Sequence, residues 1–209
     1  MMNFINIFFS PKQVFEKRLK KSNALLPLLF ISCLSVILSV CTVLTVGEKV
    51  LLKNNMEYVK TIVLAFAIVA GIFSPLMGVL INSIINYIAL IASDIHIEFR
   101  KLMIVGFYAY MPVLLEVLLK LIVSLYLKGS IQYSPTSLGI FLSNQNSILS
   151  GFSNSFSGCV IWSVGIYIIG VLVLAEEQNI KAKRKIVTIL ICTNLILTII
   201  TSLIFSPSI

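Results

Sequence analysis

The chain has 209 residues, 58% of them hydrophobic and 11% charged, with a mean hydropathy of +1.04. A soluble domain carries about 45–50% apolar and about 25% charged residues, so this composition excludes a water-facing globule and requires a bilayer as solvent. The net charge of +8 would suggest nucleic acid in a soluble protein, but these cations stand in short clusters beside apolar blocks, without a basic stripe interleaved with aromatics. That pattern excludes nucleic acid and points to membrane orientation and contact with anionic lipid headgroups.

Residues 1–23 precede the first apolar block. Ser10, Pro11 and Gln13 read as a helix start, with Ser at the cap, Pro at the first position and Gln three residues after the cap. Val14, Phe15 and Leu19 share one side of the helix that follows, and Lys12, Lys17, Arg18, Lys20 and Lys21 cover the rest. This predicts an amphipathic helix lying in the interface, with Phe4, Phe8, Phe9 and Phe15 as membrane anchors. It does not read as a cleavable signal, because the apolar block behind it is long enough to span and no small-residue cleavage box follows.

Five apolar blocks then predict five spans, at about 24–46, 61–92, 104–127, 156–175 and 186–205. The second holds 32 residues without a charge, about 48 Å as one helix against a hydrocarbon core of about 30 Å. It is either one helix kinked at Pro75 or a hairpin broken at Gly71–Pro75. Charge decides for one helix. The third block contains Pro112. Between the third and fourth blocks lies a stretch rich in Ser, Asn and Gln, whose middle, residues 136–152, has the alternation of a short interfacial helix.

The Lys/Arg clusters fall strong, weak, strong, weak, strong, none along the chain. The odd-numbered compartments hold eleven and the even-numbered ones four, with Lys120 inside the third span. The positive-inside rule therefore predicts a multi-pass plasma-membrane protein with a cytoplasmic N-terminus and an external C-terminus.

Glu116 and Lys120 stand four apart in the outer half of span three and share a helix face. A charge at a span centre costs about 2.5–3.5 kcal/mol, which pairing and outward snorkelling of Lys120 would lower. The two readings are a self-neutralised pair facing the bundle and a charged site for a substrate, an ion or a partner helix. Gly78, Asn82 and Asn86 form a narrow stripe on span two, and Asn194 lies midway along span five. Asn at such places first implies hydrogen bonds between helices and only second the lining of a pathway. Ala67 and Gly71 on span two, and Gly158 and Gly165 on span four, offer small surfaces for close packing. Asp94, His96 and Glu98 alternate in a short loop, a spacing that splays them and reads as polar linker. The four cysteines make no CxxC, there is one His, and no HExxH, GxSxG, P-loop or GxGxxG occurs. No cofactor, metal site or catalytic group is expected.

Three stretches carry a family resemblance. Phe8–Phe30, FFSPKQVFEKRLKKSNALLPLLF, sets Pro and Phe ahead of span one; Ile97–Leu119 carries Tyr-Ala-x-x-Pro at Tyr108 to Pro112; and Ile161–Ile191 joins a Trp-led span to a basic loop, with TSLGIFL upstream. Together they resemble the Yip domain family, the Ypt/Rab-interacting integral membrane proteins, in its bacterial branch. One departure is Glu98-Phe99-Arg100, where many members carry glycines. The resemblance implies an all-α polytopic bundle of five spans behind an interfacial amphipathic helix, with no catalytic residues. It implies a non-enzymatic accessory or scaffold protein that assembles with a membrane-protein partner or with itself, beside an ABC-type exporter or an envelope-stress system. The alternative is a small transporter or channel built on Glu116 and Lys120.

Overall fold

The computed structural model describes residues 2–19, 25–47, 57–127, 134–137, 156–175 and 180–204. Lys20, Lys21, Lys49, Lys53, Lys128, Glu176 and most of the 136–152 segment lie outside them. The described residues form helices joined by turns: α1 (Met2–Phe9), α2 (Pro11–Arg18), α3 (Leu25–Thr42, ending in a π turn at Val43–Gly47), α4 (Glu57–Ile91), α5 (Phe99–Ala109), α6 (Met111–Tyr126), α7 (Gly158–Leu174) and α8 (Ile180–Ile204). The all-α membrane bundle expected from composition is the fold observed. Among the described residues, four helical stretches are long and apolar enough to cross a bilayer: 25–45, 59–91, 99–126 and 180–201. The predicted fourth span is the exception. Its helix α7 has 17 residues, about 25 Å, which is shorter than the hydrocarbon core.

α4 settles the question of the 32-residue block. It runs unbroken for 35 residues with Pro75 inside it, so the hairpin is excluded. Proline is tolerated in a spanning helix where neighbours re-satisfy the freed backbone groups. Gly71 sits where α4 meets α3, and a Cβ there would fall 2.7 Å from the Val36 Cα, so glycine is what allows the two backbones to approach.

The predicted third span starts earlier than 104 and has a joint. α5 stops at Ala109 and α6 begins at Met111, with Pro112 in its first turn. The Val113 and Leu114 amides both turn to the Tyr110 carbonyl, at 3.1 and 3.2 Å. The Ala109 carbonyl instead accepts the Ser163 hydroxyl of α7 at 2.6 Å. A hydroxyl from a neighbouring span thus repairs the ladder that the proline interrupts. α5–α6 is the axis of the bundle: 56% of its most apolar window is buried, against 17–22% for the other three long spans.

The N-terminal segment departs furthest from expectation. Ser10 divides it into two helices, with Pro11 at the start of the second, but the Ser10 side chain makes no capping bond. α2 packs onto α7. Phe15, expected as a lipid anchor, is fully buried and meets the Tyr108 ring edge-to-face at 6.0 Å. Gly170 makes the room: a Cβ there would stand 2.9 Å from Phe15 Cε2 and 2.5 Å from Val105 Cγ1. Phe8 is half-buried against the same core. Phe9 alone of these three fits the anchor role, at 83% exposed. The Phe4 side chain lies outside the described residues.

Candidate functional site

Glu116 lies on α6, one turn beyond the joint region and part-buried, and its carboxylate collects three hydroxyls. Ser134 donates to Oε1, Thr136 donates to the same oxygen at 3.2 Å, and Ser157 donates to Oε2 at 2.6 Å. The Lys120 ammonium is not among these partners. Lys120 lies exposed one turn further on, so the ion pair expected from the spacing is not formed. The physical reason is reach and number. Three hydroxyl donors satisfy both carboxylate oxygens at a part-buried site, whereas a flexible lysine loses side-chain entropy to do less.

The clamp organises what surrounds it. Ser157 caps α7, accepting the Val160 amide at 3.1 Å while donating to Glu116, which uses both faces of one hydroxyl. The Gly158 amide reaches the Thr136 carbonyl at 3.1 Å, and Ser137 pairs with Ser157 as an isolated β-bridge. Thr136 and Ser137, the first residues of the expected interfacial helix, are therefore turn and bridge, and positions 138–152 lie outside the described residues. Sequence reasoning missed Ser134, Thr136 and Ser157. The available signal was a Ser-rich stretch following a span that carries an acid.

The asparagines divide. Asn86 is fully buried; its amide donates to the Asn82 side chain at 2.7 Å, and its oxygen accepts the Thr193 hydroxyl of α8 at 2.5 Å. That is the interhelical bond expected of it, with Thr193 as the unforeseen partner. Asn194 donates to the Leu190 carbonyl of its own helix at 2.7 Å, so it does not join helices as expected. Asn82 and Asn194 do share an open cavity of about 400 Å³ lined by α4, α5, α6, α7 and α8, together with Gly78, Tyr110, Ser163 and Tyr167. The Tyr167 hydroxyl and Ser83 Oγ are buried beside it without a hydrogen-bond partner in the described residues.

The remaining polar groups are dispersed. Glu98 pairs with Lys101 at 2.6 Å, Lys185 donates to the Ser93 carbonyl at 2.8 Å, and Asp94 takes a positive φ of 61° in the tight turn after α4. Asp tolerates that conformation better than most residues. A Cβ added at Gly158 or Gly165 would meet nothing closer than 3.9 Å, so the close approach of α7 is made by Gly170 instead. Among the described residues no group of three His, Cys, Asp or Glu side chains converges on a metal position, and all four cysteines are free.

No curated protein and no solved structure matches the sequence. The family profile of the Yip1 domain matches residues 5–205, which takes in every span and the N-terminal helices. The chain is a multi-pass α-helical membrane protein and belongs to the Yip1 domain family.

Proposed function

We propose that the chain is a non-enzymatic accessory or scaffold subunit of the plasma membrane, with its N-terminus cytoplasmic and its C-terminus outside. Its partner is another membrane complex, with an ABC-type exporter or an envelope-stress system as the leading candidates, or a second copy of itself. The observation that carries this reading is the state of Glu116. The Glu116 carboxylate is engaged in fastening the chain's own loop and helix α7, which is structural work. Family membership supports the same reading. Isolation of the chain in native lipid, followed by mass spectrometry, is expected to recover a stoichiometric membrane partner or a defined oligomer. Reproducible recovery of monomer alone would reject it.

The cavity holding Asn82 and Asn194 favours a second reading, a small transporter or channel. Under it, Asn82→Leu with Asn194→Leu abolishes the chain's cellular activity while Glu116→Gln with Lys120→Met does not. Activity that survives the asparagine pair removes this reading.

A further inference from the structure

A second hollow lies at the opposite end of α7 from Glu116, where α2, α7 and α8 meet, with a volume of about 710 Å³. Its floor is apolar, built from side chains such as Ile169, Leu172 and Val187, and its rim carries Lys12, Lys183 and Arg184. Three cations over an aliphatic trough are complementary to one kind of molecule: an anionic head attached to a hydrocarbon chain. The volume is within the range of about 300–1,000 Å³ usual for small-molecule sites.

We infer that this groove binds a single anionic glycerophospholipid drawn from the adjoining leaflet. Its phosphate sits between Lys12, Lys183 and Arg184, and one acyl chain lies along the floor. The rim is assembled from distant parts of the sequence. Lys12 comes from α2, and it reaches the groove because Phe15, one turn later, is seated at Gly170 beside Ile169. Glu16 approaches Lys12 at 3.7 Å, but both side chains are well exposed and such a pair is weak. The exposed Phe9 on α1 adds a membrane contact at the same end. This inference stands whichever partner complex the chain joins.

The full chain, placed in nanodiscs of phosphatidylcholine with a minor share of phosphatidylglycerol, tests it by native mass spectrometry. One phosphatidylglycerol per chain is expected to survive detergent release. The triple variant Lys12→Gln, Lys183→Gln, Arg184→Gln should weaken retention about a hundredfold, at roughly fivefold for each cation removed. The pair Lys101→Gln, Lys181→Gln should change nothing. Val187→Trp keeps every cation but fills the floor, and should also expel the lipid, which separates an acyl-binding groove from simple surface charge. Inorganic phosphate should fail to displace the lipid. Equal retention of phosphatidylcholine, retention by the triple or the Trp variant, or displacement by inorganic phosphate would each overturn the inference.

Discussion

At one end of α7 a carboxylate gathers three hydroxyls; about 20 Å away along the same helix, a phenyl ring fills a notch left by a glycine. The first closure is directional and depends on partners. Removing one member strands the others as buried polar groups. The second depends on volume, and it tolerates neither a hole nor an added methyl group. Both ends hold down a segment that would otherwise hang from the bundle, the 134–137 turn in one case and α2 in the other. The bundle thus fixes its appendages with opposite chemistry, and the two fixings should fail in opposite ways.

The largest effect is expected at the apolar end. Phe15→Ala should cost about 3–5 kcal/mol locally and release α2, read as faster proteolysis of the N-terminal segment in detergent. Unaltered protease resistance would show that α2 is held by something other than its ring. Glu116→Ala comes next, at about 2–4 kcal/mol, because several buried hydroxyls lose their acceptor at once. Hydrogen exchange across residues 134–137 and the first turn of α7 should rise, with α2 unchanged. Gly170→Ala should cost about 1–3 kcal/mol through overpacking against Val105 and Phe15, with the loss seen at α2 and not at the clamp. Ser157→Ala, which removes the α7 cap and one donor to Glu116, should cost about 1–2 kcal/mol. Lys120→Met should stay within about 0.5 kcal/mol, since the ammonium is exposed and outside the clamp. A Lys120→Met loss comparable to that of Glu116→Ala would restore the ion pair and break the comparison.

The sequence was readable where its signal was long-range average and opaque where it depended on pairing. Hydropathy placed every apolar block within a few residues of a helix, and the alternation of cations gave one helix at 61–92, as α4 shows. Pro112 was recognised as a disturbance, though not that Ser163, 51 residues later, would answer for it. The Glu116–Lys120 expectation failed because a spacing of four states which residues share a face and nothing about competing donors that arrive from a loop. Phe15 failed for a related reason. An amphipathic helix buries its apolar face equally well against lipid or against protein, and the glycine that decided between them lies 155 positions away. Asn86 was read correctly as an interhelical bond because a buried amide in hydrocarbon has few other outlets.

The clamp also has a history within each newly made chain. Its acceptor leaves the ribosome well before its donors: Ser134 follows Glu116 by 18 residues and Ser157 by 41. At about 5–20 residues per second, the last hydroxyl arrives about 2–8 s after the acid. Through that interval the Glu116 carboxylate lacks the hydroxyls that engage it in the folded chain. The clamp is therefore a late step of assembly, and a change in the connection between α6 and α7 is expected to act on it first.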